Sequence, residues 1–364
     1  MTSRSVRDSR YVPRPDLDPV GFVDQIAELI RHGKHDMLIP ADDQALMAVT
    51  AHYQVLKDLL HIACPPPEIT NLVLDKVPSL DVAEKCGIPI PKTKLISNSA
   101  ELSKLISSVP FPWILKPARK ELTEEVKTLT IASADDIVRK FPTARDFAPP
   151  MLLQEYCSGA GVGVEMLLHD GQCVAIFQHR RLEEVPYTGG FSVTAVAEQP
   201  DSDLAEKSLL LLRALHWEGP AMVEFKVNPR DGSAVFMEVN GRYWGTISLP
   251  TSAGIDFPLY HWQLVHGEVP SVPAEYAAGR KWRWTAGHLW RLNGLLLASR
   301  RSSAARKELI HSLLNLPWAL GASAHDSLFT PSDPMPAILE MLEMIRFHSW
   351  DDIKTLFRHF SRHS

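Results

Sequence analysis

Met222-Val-Glu-Phe225, the turn Asn228-Pro-Arg-Asp-Gly232, and Phe236-Met-Glu-Val-Asn-Gly-Arg242 form the stretch that decides the fold. Both flanks are apolar strands in composition, and the central residues have tight-turn chemistry. The segment predicts an antiparallel hairpin that can set Glu224 and Glu238 face to face. A carboxylate in the middle of an apolar strand is costly unless its charge is compensated, and a divalent cation is a natural partner. Asn240 stands two residues after Glu238, hence on the same side of the strand. Hard oxygen donors gathered on one face suit Mg²⁺, which takes one or two carboxylates and fills its shell with water and phosphate oxygens. Arg242, two residues further, would bring a planar charge for phosphate or carboxylate to that side. The plainer alternative is a hairpin whose glutamates face solvent. The apolar neighbours Val223, Phe225, Met237 and Val239 weigh against it.

Working outward, Trp113-Ile-Leu-Lys-Pro117 reads as a short strand with Lys116 at its tip, placed to meet a phosphate or simply to snorkel into water. Lys76 stands beside Asp75 just ahead of an expected helix. Leu153-Gln-Glu-Tyr-Cys-Ser-Gly159 leaves a strand into a turn, exposing backbone groups that fit a purine edge or an ordinary loop exit. Helices are expected over Pro19–His32, from Asp42 to about His61, from near Pro78 to Cys86, and over Asp203–His216. A strand is expected at Asp36–Pro40. Cys64-Pro-Pro-Pro67 reads as a break and Ile88–Thr93 as an extended linker. Gly161–Leu168 and Gln172–His179 flank Asp170-Gly171, a strong hairpin signal. After about residue 268 the chain turns Trp- and Arg-rich and reads as helical.

The whole chain has 364 residues, 45% hydrophobic and 22% charged, with 38 basic against 43 acidic side chains and a net charge of −5. That balance gives no general attraction to nucleic acid. Cys64, Cys86, Cys157 and Cys173 lie far apart, which offers neither a zinc site nor a disulfide framework. No apolar run reaches the roughly 18 residues of a membrane span, and the polar N-terminus is not a secretory signal. A cytoplasmic setting is the expectation.

Order and spacing together resemble the ATP-grasp proteins, most closely their carbamoyl-phosphate-synthase-like members. Asp75-Lys76, Gly87-Ile-Pro-Ile-Pro-Lys-Thr93, Leu115-Lys-Pro117, Gln154-Glu-Tyr-Cys157, Glu224 and Glu238-Val-Asn-Gly-Arg242 carry the resemblance. Gln178-His-Arg-Arg-Leu-Glu-Glu184, Thr188-Gly-Gly190, Trp244-Gly-Thr246 and Ala253-Gly-Ile-Asp-Phe257 extend it. The resemblance implies an α/β (α+β) chain. In it, an ATP-grasp domain of two α/β subdomains (91–268) follows a short, reduced N-terminal α/β domain (1–90) and precedes a helical C-terminal extension (269–364). It implies that Lys76 and Lys116 contact ATP phosphates and that Gln154, Glu155, Tyr156 and Cys157 hold adenine. Glu224, Glu238 and Asn240 become ligands of Mg²⁺ or Mn²⁺, and Arg242 faces the transferred phosphoryl group. The implied reaction turns a carboxylate into an acyl phosphate that an amine then attacks.

Of the adjacent Arg180 and Arg181, which point to opposite strand faces, Arg180 is favoured for the substrate carboxylate. The expected partners are small-molecule carboxylate and amine substrates, with no nucleic acid and homo-oligomerisation left open. Two departures from the family pattern bear on activity. The run Ala118–Lys127 contains no glycine where many members have a phosphate-covering glycine loop, and the N-terminal domain is short. They keep open a second expectation, an ATP-binding module with weak or lost turnover that acts through a protein partner. A third is membrane or partner binding by the Trp/Arg-rich tail, against which stands a helical lid.

Overall fold

The computed structural model describes residues 3–106, 111–119, 128–141, 143, 145–187, 189–300, 302–319, 321 and 324–347. The chain opens with α1 (Pro19–His32), β1 (Met37–Leu38), α2 (Asp43–Ala51), α3 (Tyr53–Leu56), β2 (His61–Ile62), α4 (Pro67–Leu74) and α5 (Lys76–Lys85). It continues through β3 (Thr93–Asn98), α6 (Ser99–Ile106), β4 (Trp113–Pro117), β5 (Leu129–Ile131), α7 (Ala134–Lys140) and β6 (Asp146–Glu155). Then come β7 (Ala160–His169), β8 (Gln172–Val185), β9 (Phe191–Glu198), α8 (Ser202–Ala214), β10 (Gly219–Val227) and β11 (Ala234–Asn240). The last part holds α9 (Ser248–Ala253), α10 (Phe257–Val265), β12 (Lys281–Arg283), α11 (Thr285–Ala298), α12 (Ser303–Ala319), β13 (Ala324–Asp326) and α13 (Met335–Phe347). Of the described residues, those within 12–174 and 202–243 form one compact unit, and those within 1–11, 175–201 and 244–356 form another.

In the first unit, α1 matches its expected span. Asp18 caps it by accepting from the Gly21 N–H at 2.9 Å, and Pro19 stands in the first turn, where no N–H is needed. The helix buries Phe22, Val23 and Ala27 against Leu46, Val49, Leu56, Ile62 and Leu74. The helix expected from Asp42 to His61 is instead broken at His52, whose backbone leaves the helical region and whose Nδ1 pairs with the Ala48 carbonyl at 3.0 Å. His61 and Ile62 pair in parallel with Met37 and Leu38. The proline run also starts α4 rather than only breaking the chain, because Pro67 occupies a helix position that tolerates it. Gly87, at φ +72°, follows the end of α5 in the left-handed conformation that closes helices.

Two antiparallel ladders complete this unit. The first has the strand order β3-β6-β4-β5. One of its faces packs Ile96, Trp113, Leu115, Ile131, Met151 and Leu153 against Leu102 of α6 and Ile137 of α7. By alternation, Ile114, Lys116, Leu152 and Gln154 lie on the opposite face. In the second ladder β10 lies between β7 and β11, antiparallel to both. Its turn, Asn228–Gly232, is closed by the Gly232 N–H donating to the Asn228 carbonyl at 2.9 Å. The Asp170-Gly171 hairpin forms as expected, with both residues at positive φ.

The second unit holds most of β8 with β9, β12 and β13 and the later helices. Arg280–Trp284, expected to be helical, contains a strand: β12 pairs antiparallel with β9 and parallel with β13. The reason lies in a period of two. Trp282 is buried and its Nε1 donates to Ser248 Oγ at 2.8 Å, while Arg283 on the other side pairs with Asp326 at 3.2 Å. Trp284 Nε1 donates to Glu340 at 2.9 Å, so both indoles and the Arg283 guanidinium are engaged inside the unit. Helices α11, α12 and α13 follow the expected helical character. No described helix is long and apolar enough to cross a membrane.

A buried charge network holds α11 and α12 to β8. The Glu183 carboxylate accepts from Thr194 Oγ1 and Ser312 Oγ, each at 3.1 Å. His288 Nδ1 lies 3.4 Å from it and Arg291 Nε 3.6 Å, and Arg291 also pairs with Glu308. Burial alone would raise the Glu183 pKa; the His288 imidazole, the Arg291 guanidinium and the Thr194 hydroxyl outweigh it and bring it to about 2. A carboxylate held below its ordinary 4.5 stabilises the fold above that pH and loses the contribution as pH falls toward 2. Glu183→Gln is expected to cost up to about 3–5 kcal/mol near neutral pH, because it removes the carboxylate beside buried His288 and one of the two that compensate Arg291. It should also flatten the fall in stability between pH 5 and roughly 3. Denaturant unfolding across that pH range checks both.

Candidate active site

The hairpin places Glu224 directly opposite Glu238, and Met222 opposite Asn240. No register shift separates these two pairs, so Glu224, Glu238 and Asn240 share one face. Directly opposed side chains have Cβ atoms about 4.5–5.5 Å apart, and like charges so placed destabilise a sheet. Glu224 is 8% exposed and Asn240 is buried. Two opposed carboxylates and a neighbouring amide oxygen therefore fit a hard divalent cation on chemical grounds. Among the described residues no three His, Cys, Asp or Glu side chains converge as a metal site.

Glu165 was not singled out from the sequence, although it carries the same signal. It is a carboxylate inside the apolar strand β7, 0% exposed, opposite Met222 and diagonal to Glu224 on that face. The criterion that found Glu224 and Glu238 would have found it. On the other side of Glu224 lies Gly163, which leaves that position of the face bare of side chain.

The expected phosphate lysines are brought to one place. The Lys76 N–H donates to the Ala118 carbonyl at 3.0 Å and its Nζ to the Pro117 carbonyl at 3.4 Å, tying the start of α5 to the end of β4. Asp75 caps α5 through the Val77 N–H at 3.0 Å and forms a backbone bridge with Arg119. Lys116 thus ends its strand beside Lys76. Residues 120–127, most of the glycine-free run, lie outside the described residues.

At the exit of β6 the Glu155 N–H donates to the Lys92 carbonyl at 2.8 Å and the Tyr156 N–H to the Pro112 carbonyl at 3.3 Å. The Cys157 thiol contacts the Glu155 carbonyl at 3.7 Å. Burial, followed by the Glu155 carboxylate, pushes the Cys157 thiol up, while Lys116 and Lys226 pull the other way. This field links the exit segment to both ladders. Lys226, on β10, is a second residue that the sequence did not single out. Gly159, at φ +137°, completes the link: a Cβ there would stand 2.3 Å from the Val227 carbonyl oxygen.

Arg242 is held in the same unit by a bidentate pair. Its Nε and Nη2 reach the two oxygens of Asp43 at 3.0 and 3.1 Å, and Nη1 donates to the Tyr243 carbonyl at 3.1 Å. Asp43, in the first turn of α2, was not read from the sequence as a partner. Arg180 belongs to the other unit, where its Nε donates to Glu198 at 2.6 Å. Arg181 points away, to Glu184 and the Gly190 carbonyl, both at 3.2 Å.

Residues 147–287 match the family model described as an ATP-grasp in the biosynthetic pathway with Ter operon. Among solved structures, the chain resembles an L-amino acid ligase from Bacillus licheniformis at 15% identity and a TM-score of 0.55, covering 72% of this chain and 65% of that one. It resembles a biotin carboxylase from Campylobacter jejuni, described as a β-γ-ATP complex, at 16% identity and a TM-score of 0.55, over 73% of this chain and 61% of that one. It also resembles the biotin carboxylase domain of the Hydrogenobacter thermophilus 2-oxoglutarate carboxylase, crystallised with MgADP and bicarbonate, at 13% and 0.57, over 72% and 61%. The chain thus spans less than two thirds of the length of each of these three proteins.

The end of β11 depends on Gly241, where a Cβ would stand 2.4 Å from the Trp217 ring and 2.9 Å from Val73. Gly241→Val is expected to lower stability by about 1–3 kcal/mol through overpacking. A shifted urea midpoint with an unchanged slope checks it.

Proposed function

We propose that this chain, an ATP-grasp protein in its fold and in the family segment at 147–287, is a Mg·ATP-dependent carboxylate–amine ligase. The observation that carries the proposal is the directly opposed pair of buried Glu224 and half-buried Glu238, with buried Asn240 on the same face. These three residues would hold Mg²⁺, which when bound neutralises charge on the phosphates. Lys76 and Lys116 bring positive charge to the end of β4, where the phosphate chain would run. Gln154, Glu155, Tyr156 and Cys157 would line the base. Arg242, oriented by Asp43, keeps two of its five N–H donors for the transferred phosphoryl group.

Phosphoryl transfer asks for alignment and charge neutralisation more than for covalent participation by the protein. In the proposed reaction a substrate carboxylate oxygen attacks the γ-phosphorus and ADP leaves with the bridging oxygen. The amine then attacks the acyl carbon, loses a proton and expels phosphate. Small-molecule substrates and a cytoplasmic setting belong to this proposal. The glycine-free run after Lys116 favours the other reading, a nucleotide-binding module that does not turn over.

The test is ADP release measured across a panel of amino acids and other carboxylates paired with amines. The wild-type chain should release ADP only when both substrates are present, and Glu238→Gln should cut the rate by about 10²–10³-fold. Undiminished turnover in Glu238→Gln contradicts the mechanism. Tight nucleotide binding with no ADP release from any pair favours the binding module.

A further inference from the structure

A buried amide at the end of β6 is only half satisfied. Gln154 is 1% exposed, and its Nε2 donates to Thr93 Oγ1 at 3.0 Å. Its Oε1 is buried and meets no hydrogen-bond donor among the described residues. The Thr93 hydroxyl in turn donates to the Pro91 carbonyl at 2.7 Å. A hydroxyl has one proton to give. With that proton committed to Pro91, Thr93 can only accept from Gln154. The amide is therefore fixed with its NH₂ toward β3 and its carbonyl oxygen as the open end. A Gln side chain otherwise offers donor and acceptor ends of nearly the same shape, and only such a partner distinguishes them.

The register shows which side of the sheet this acceptor belongs to. Gln154 stands opposite both Thr93 and Ile114, and Leu152, two residues before it, stands opposite Lys116. Gln154 and Lys116 are therefore diagonal neighbours on the face away from α6 and α7. A buried acceptor without a donor is unfavourable until a donor arrives. On the face that presents the phosphate lysine, the group that would supply one is the base of the nucleotide.

We propose that Thr93 is a positioning residue for base selectivity. By fixing the Gln154 amide it presents an acceptor that takes a purine with an amino group at its six position and rejects one with a carbonyl there. The inference rests on the nucleotide-binding reading above and adds Thr93 and Pro91 to it. Neither residue needs to touch the base.

The experiment is calorimetric titration of the full chain with Mg·ADP and with Mg·inosine diphosphate, which carries a carbonyl at that position. Wild type, Thr93→Val, Thr93→Ser and the double variant Thr93→Val/Gln154→Glu are compared. Wild type should prefer ADP, and Thr93→Val should shrink that preference by about three- to tenfold. Thr93→Ser keeps the hydroxyl and should keep the preference. The double variant should regain it, because a carboxylate accepts at both ends. An unchanged preference in Thr93→Val, or an equal loss in Thr93→Ser, overturns the proposal and marks Thr93 as a packing residue. Wild-type binding without preference for ADP overturns it while leaving the nucleotide site standing. No wild-type binding of Mg·ADP removes both.

Discussion

Two carboxylates facing each other across a pair of buried strands are the constraint around which the first unit is arranged. Directly opposed like charges such as Glu224 and Glu238 are unfavourable in a sheet unless compensated, and Glu224 is buried while Glu238 is half-buried. Such a pair is tolerable where the face it occupies receives a cation. Their surroundings fit that use: Gly163 keeps the position beside Glu224 bare, Asn240 adds an oxygen donor, and Arg242 at the strand end is itself held by Asp43.

The four-stranded ladder obeys the same logic with the opposite charge. Its helix-covered face packs the apolar cluster, whereas the other face carries Lys116 and the half-satisfied Gln154. One sheet thus keeps the apolar cluster on one side and Lys116 and Gln154 on the other, as strand alternation allows. Lys76 is tied to the end of the same strand both by its main-chain N–H and by its Nζ.

Much of this was legible from the sequence because it depends on local patterns. The Asn228–Gly232 turn announces the hairpin, although a one-residue register shift between Glu224 and Phe225, which the turn does not encode, is what sets Glu224 opposite Glu238; α1 follows from its cap, its proline and its apolar face. What escaped depends on partners distant along the chain. The Arg242–Asp43 pair joins residues 199 positions apart, and nothing in the period around Asp43 announces it. The end of α2 at His52 turns on a side-chain bond to the helix's own backbone, which propensity does not encode. Lys281-Trp-Arg283 was misread because its tryptophans suggested a helix, although the alternation of inward Trp282 with outward Lys281 and Arg283 was already that of a strand. Glu165 carries a signal that is legible in the sequence, a carboxylate inside an apolar strand.

The most direct test of this account is calorimetric titration of Mg·ATP into the wild-type chain and into a Glu224→Gln, Glu238→Gln double variant, with and without the metal. The account predicts metal-dependent binding by wild type and its loss in a variant that remains folded, since the opposed carboxylates are what recruit the cation. Equal binding by both, or binding indifferent to the metal, would contradict it and return the two glutamates to a purely structural role.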